Sequence, residues 1–291
     1  MSEILFELYK GRVKGKFLGP TEDKPNRHMY YINGKQKTGA STIVGIKDKS
    51  RALGIWQSEE TAKALLGLIE KGIELTEEQI VKAVFASDMA RDKAADLGVA
   101  VHDWVERYIR FKLKQKGFEK QPEMPDHQGV VNGVTSFLEW ESQHKVKFLW
   151  TEKIIYSLKH DFIGRADFGA KVDGLICLCD LKSSNGLYNG VRMQTAAYAM
   201  ADTEETKIKY DGRWAIRVAK ESESEYLKRM EIKNKIKVLL GRKESLVQPY
   251  QVFEAKFLDN EKGFMKRDFQ TFLSAKNLLE WDKETDFYKE N

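Results

Sequence analysis

The stretch GRADFGAKVDGLICLCDLKSS, from Gly164 to Ser184, runs from one acid to another through a buried-looking strand. Leu175–Cys179 is apolar enough to be covered on both faces, and it leads straight into Asp180 and Lys182. A second acid, Asp167, lies near the end of the preceding strand-like run. Charges on the flank of a buried strand are costly to desolvate unless something pairs with them. Residues i and i+2 of a strand point to one face, so Asp180 and Lys182 project together. Leu181 turns into the core, and its carbonyl can still face the strand end. Two carboxylates and an ammonium at one strand end suit a hard divalent cation, which prefers oxygen ligands. Such an ion activates water and offsets charge on a phosphate, and a neighbouring lysine orients the attacking group. A D-x-K triplet alone reads better as a structural salt bridge. An antiparallel hairpin through Lys171–Gly174 brings Asp167 to Asp180 only if the strands splay.

The neighbouring residues strengthen the case for chemistry. Gly164 and Ala166 keep space around Asp167. Gln194 and Tyr198 are i and i+4 on the next predicted helix, so an amide and a phenol share one face. Alone, that pair reads as a surface Gln beside a packing Tyr. His102 lies at the edge of the apolar stripe of a long predicted helix, with Gly98 and Glu106 one turn to either side. It is a core histidine or, as a neutral imidazole, a nitrogen ligand. Glu152, at the start of the strand before Asp167, is a further acid or an edge residue.

The elements that must position these groups are those of an α/β protein. His28–Ile32, the Asn33-Gly34 turn and Lys35–Thr38 read as a β-hairpin, with Ser41–Val44 as its extension. Helices are predicted over 58–71 and 76–86, the second with a capping box of Thr76 and Gln79. A long helix follows over 87–116, with Leu97, Val101, Trp104, Val105 and Tyr108 as its apolar stripe. After a two-proline linker comes a helix over 129–145, then strands over 148–158, 162–170 and 175–182. A helix over 191–201, a hairpin over 208–219, a strand over 251–257 and a helix over 264–281 complete the pattern. Residues 221–248 fit helix and strand equally. The expected fold is a mixed sheet flanked by helices, with residues 1–85 as a packed accessory segment and 86–291 as the core.

Composition limits the remaining possibilities. The chain has 291 residues, a net charge of +5 and only two cysteines, Cys177 and Cys179. Both read as buried small hydrophobes, and two cysteines cannot build a four-cysteine iron–sulfur cluster within one chain. No run is long and apolar enough to span a membrane, and the first residues lack a signal pattern, so the expectation is a cytoplasmic protein. Basic runs over 107–120 and 228–243 make a polyanion partner worth testing.

In order, these segments resemble the RecB-type branch of the PD-(D/E)xK nuclease superfamily. The matching segments are LGVAVHDWVE with His102, TEKIIYSLKHDFIGRADF with Glu152 and Asp167, LCDLKSS with Asp180 and Lys182, and QTAAYAMA with Gln194 and Tyr198. The segment from His28 to Trp56 also resembles the opening of stand-alone phage and mitochondrial exonucleases of that branch. The resemblance implies a restriction-endonuclease-like core and metal-dependent hydrolysis of DNA phosphodiesters, with one or two Mg²⁺ or Mn²⁺ ions. It implies His102, Asp167, Asp180 and the Leu181 carbonyl as metal ligands and Lys182 as the group that positions the water. Gln194 and Tyr198 would hold substrate, and Glu152 and Glu106 would support the ligands. The expected activity is that of an exonuclease on DNA, with single strands or free ends as a preference to test and the host cytoplasm as the compartment if the chain is phage-encoded. A structure-specific endonuclease and a non-catalytic DNA-binding protein are the rival readings. The family's proline before the first acid is Ala166 here, and no GxxxxGK[ST] loop marks a fused helicase motor.

Overall fold

Two sheets carry the architecture, as seen in a computed structural model that describes residues 3–19, 28–47, 49–260 and 263–284. The first sheet is antiparallel, in the order β1 (Glu3–Leu8), β2 (Val13–Leu18), β3 (Met29–Ile32) and β4 (Lys35–Lys37). Asn33 and Gly34 have φ of +48° and +78°, as a tight type I′ hairpin turn requires. One face of this sheet is apolar: Leu8, Val13, Phe17, Tyr30 and Ile32 pack on Tyr156 and Ile163 of the second sheet.

The second sheet has five strands in sequence order: β5 (Val146–Ser157), β6 (Phe162–Val172), β7 (Leu175–Lys182), β8 (Gly212–Val218) and β9 (Phe253–Asp259). All its neighbours are antiparallel except β7 and β8, which run parallel. Two layers of helices cover it. On one side, α4 (Ala86–Lys112) and α5 (Gln128–Ser142) bury Val101, Trp104, Phe137 and Trp140 with Cys177, Cys179 and Leu181 of β7. On the other, α1 (Ala40–Val44), α6 (Gly190–Thr206) and α8 (Phe264–Glu284) pack on Leu178, Phe162 and Ala166. Covered on both faces, β7 has the unbroken apolar sequence expected of such a strand. The chain is therefore an α/β protein whose mixed sheet is flanked by helices, with a β extension before it. Three more helices lie between the layers and solvent: α2 (Ser50–Glu70), α3 (Glu77–Val84) and α7 (Glu223–Leu239). The α2 and α7 helices are joined by ion pairs Lys233–Glu59 and Lys235–Glu70. Among the described residues no helix is long and apolar enough to cross a membrane.

Several local expectations change. Ser41–Val44 is helical rather than extended, because Ala40 and Ile43 are spaced i, i+3 and both bury against the α6–α8 layer. Three β-branched residues in a row suggest a strand, but tertiary burial decides. The hairpin expected over 208–219 is also absent. Asp211 instead ties the chain to β7 by accepting the Ile176 N–H at 2.8 Å, and β8 enters the sheet parallel to β7. The predicted helix over 58–71 begins earlier, at Ser50. Residues 221–248 resolve as α7, capped by Ser222 and Glu225, followed by irregular chain. The capping box of Thr76 and Gln79 is present, and α3 meets α4 at Phe85.

Candidate metal centre and active site

The site forms where β6 and β7 part. Their ladder runs from Val172↔Leu175 to Phe168↔Cys179 and goes no further. Beyond that point β6 pairs with β5 on one edge, and on the other Ile163 donates its N–H to Thr38 O, at 3.2 Å. The strands do splay, and the wedge between them holds the charged groups. Asp167 stands at its apex, where its Oδ2 accepts the Leu181 N–H at 2.6 Å. A side chain thus replaces the next rung of the ladder.

Asp180 and Lys182 project from β7 on one face, as alternation requires. Lys182 Nζ lies 2.7 Å from Asp180 Oδ2, and the Asp180 side chain is only 2% exposed. The lysine thus sets its positive charge directly against this buried oxygen. Burial, with Asp167 nearby, pushes the Asp180 carboxyl up to about 6, against the opposing pull of Lys182. Burial works to lower the lysine, but Asp180 and Asp167 outweigh it and hold the Lys182 pKa above its ordinary value. Lys182 is therefore a charged donor at neutral pH, not a proton acceptor.

His102 reaches the wedge from α4. One turn earlier Gly98 lets this helix press against the end of β7: a Cβ there would come within 2.5 Å of Ser183 Oγ. His102 Nδ1 lies 3.7 Å from Asp167 Oδ1. Burial first, then the Lys182 ammonium, pushes its pKa down to about 4, which leaves the neutral imidazole that a metal needs.

Glu152 completes the group. It sits between the pairs Thr151↔Phe168 and Lys153↔Ala166, with a left-handed φ of +48° in mid-strand. Ligand atoms of His102, Glu152 and Asp167 all lie within 4.8 Å of one another, and this is the metal-capable cluster among the described residues. Asp180 is not part of that set, because its carboxylate faces Lys182. Burial and then Asp167 push the Glu152 carboxyl up to about 8, and burial likewise raises Asp167. Burial and mutual repulsion raise clustered acids in this way, and any positive charge placed among them would relieve it.

Arg165, outside the site residues expected from the sequence, holds this arrangement. Its guanidinium pairs with Glu152 through Nε and with Glu106 through NH2, the latter at 3.2 Å. Glu106 is itself clasped by Arg110, with contacts of 2.9 and 2.6 Å. Strand alternation two residues back from Asp167 is the signal that finds Arg165. The Arg165 guanidinium also lies 5.8 Å from the Phe17 ring centroid, so the N-terminal sheet forms one wall of the site.

On the opposite side stands α6. Gln194 Nε2 donates to the Tyr198 hydroxyl at 2.9 Å, so the expected i, i+4 pair is made. Tyr198 packs on Gly164, where a Cβ would come within 2.4 Å of the ring. Burial, with Asp180 among the nearby charges, raises the Tyr198 pKa well above the ordinary value, so the phenol keeps its proton.

No protein-family model matches the chain, and no curated protein matches it in sequence. The functional reading therefore rests on the site itself and on the motif order.

Proposed function

We propose that the chain is a divalent-metal-dependent deoxyribonuclease that hydrolyses phosphodiester bonds. The observation that carries this reading is the cluster of His102, Glu152 and Asp167 with the Asp180–Lys182 pair beside it. One nitrogen and several carboxylate oxygens, some of them buried, fit Mg²⁺ or Mn²⁺ better than a soft ion. His102, Glu152 and Asp167 would hold the ion, and Asp180 beside them would hold Lys182 in place. When bound, such an ion supplies an activated water and neutralises charge on the phosphate.

The chain's own residues supply the rest. Lys182, kept charged by Asp180, donates to the attacking oxygen or to a phosphate oxygen and so favours the transition state. Tyr198 accepts from Gln194, which leaves its own proton to donate to substrate. Arg165 and Glu106 fix Glu152 so that the acid cluster does not depend on flexible side chains.

The test is incubation of labelled linear single-stranded, linear double-stranded and closed circular DNA with Mg²⁺ or Mn²⁺. Metal-dependent loss of linear DNA supports the reading, and sparing of the circle marks an enzyme that needs ends. Binding of DNA without cleavage of any substrate contradicts it and favours a non-catalytic DNA-binding protein.

A further inference from the structure

Two exposed apolar surfaces of opposite charge lie outside the acid cluster. The first is a groove of about 560 Å³ between α2 and the junction of α3 with α4. Gly54, Ser58, Ala62 and Leu65 line its α2 side, and Val84 and Phe85 line the other. The α3 helix carries Ile80, Val81, Ala83 and Val84 as its apolar residues, yet of these only Ala83 is buried. Val81, Val84, Phe85 and Met89 are each more than half exposed. Acids flank the groove. From Glu74 to Asp92 there are five, against Lys82 and Arg91, so the net charge is 2 − 5 = −3. Lys82 is taken by Glu78, and Arg91 by Asp88 and Asp92. Glu74 and Glu77 have no cation within ion-pairing distance among the described residues.

The second surface is the C-terminal tip of α7. Val238, Leu239 and Leu240 are each more than half exposed, and Leu246 beyond them is more exposed still. Backbone bonds hold this tip in shape. Gly241, with φ of +66°, ends the helix. Its N–H donates to Val238 O at 2.9 Å and the Arg242 N–H to Lys237 O at 2.8 Å, the paired bonds of a Schellman cap. Asn234 and Ser245 then bond reciprocally, at 3.0 and 2.8 Å, and tie the following chain back to the helix. Charge here is positive: Lys237, Arg242 and Lys243 against Glu244 give 3 − 1 = +2. Arg242 and Lys243 have no carboxylate within ion-pairing distance among the described residues.

We infer that the α7 tip of one copy of the chain docks in the α2–α3 groove of another, as a head-to-tail contact between copies. Exposed apolar surface of this kind marks an interaction site, and charge decides what fills it. The acids around the groove repel a polyanion. Two grooves facing each other across a two-fold axis would set −3 against −3. The α7 tip instead brings apolar side chains flanked by cations, and opposite charges across an interface select the partner and fix its register. Because the tip is already held by its cap, little ordering is lost on docking. Both surfaces are exposed within one copy, so they meet only between copies. Neither includes a residue of the acid cluster, so the contact stands whatever reaction that site performs.

The test is sedimentation velocity of the full chain over a micromolar concentration series. A head-to-tail dimer leaves one groove and one tip open, so wild type should form dimers and then larger species as concentration rises. Added NaCl should weaken this association by screening the opposite charges. Phe85→Asp in the groove and Leu239→Asp at the tip should each weaken it by about 30-fold, with circular dichroism showing that the fold is kept. Val81→Asp takes the place of Phe85→Asp if that variant loses its fold. The deciding sample is a mixture of the two variants. Phe85→Asp keeps its tip and Leu239→Asp keeps its groove, so together they should form a 1:1 complex with wild-type affinity and nothing larger. Wild type that stays monomeric at every concentration overturns the inference, and so does association that salt strengthens. Self-association retained by Leu239→Asp, as two facing grooves would give, overturns it too, as does a mixture that forms no complex.

Discussion

Asp167 of β6 accepts the backbone N–H of Leu181 of β7 at 2.6 Å, across the point where the two strands separate. This one bond both closes the sheet and sets the acid over the metal-capable cluster. Asn at this position keeps the acceptor and the volume but loses the charge, whereas Ala also leaves a buried N–H unpaired. Asp167→Ala should therefore lose about 1–3 kcal/mol of stability, and Asp167→Asn should fold as well as wild type. Both should lose Mn²⁺ binding. Urea unfolding and titration calorimetry separate the two effects.

The clustered acids set a pH dependence for the metal-free protein. The folded Glu152 carboxyl is raised to about 8 and Asp180 to about 6, burial being the main cause of each. Between the ordinary carboxylate range and these values, the native state holds protons that the unfolded chain has released. His102, held neutral in the folded chain, opposes this below its ordinary value, so stability must fall most clearly as pH rises from about 6.5 to 8, by a few kcal/mol at most. Thermal melts in EDTA should show this fall, and Glu152→Gln should flatten it. Mn²⁺ should raise the melting temperature more at pH 8 than at pH 5, because fewer protons must then be displaced.

Gly164 should not tolerate a side chain. An added methyl would come within 2.4 Å of Tyr198, which is buried and cannot swing away. Gly164→Ala should cost about 1–3 kcal/mol, the usual range for overpacking. Because Tyr198 carries Gln194 with it, the variant should also lower cleavage. Tyr198→Phe keeps the packing and should lower cleavage without loss of stability, as denaturant unfolding beside a cleavage assay would show.

What could be read from the sequence was what local pattern determines. The apolar run of Leu175–Cys179, the Asn33-Gly34 turn and the Thr76/Gln79 cap each carry their own geometry. So does the pairing of Asp180 with Lys182, which needs only strand alternation. What depended on distant partners was not legible. The parallel pairing of β8 with β7 joins segments with α6 between them, and the helical state of Ser41–Val44 depends on burial against α6 and α8. The strands over Glu3–Leu8 and Val13–Leu18 were passed over although Val13, Gly15 and Phe17 alternate inward. Glu152 could not be placed because its left-handed backbone breaks the alternation on which strand reading relies.

In the proposed deoxyribonuclease, Asp180 and Lys182 serve metal-dependent phosphodiester cleavage at the cluster of His102, Glu152 and Asp167. Single-turnover cleavage of a labelled linear single strand, with saturating Mg²⁺, tests it most directly. Wild type should cleave, EDTA should stop it, and Asp180→Asn and Lys182→Ala should each fall by about 100-fold or more. No cleavage by wild type, or full activity in both variants, would contradict the claim.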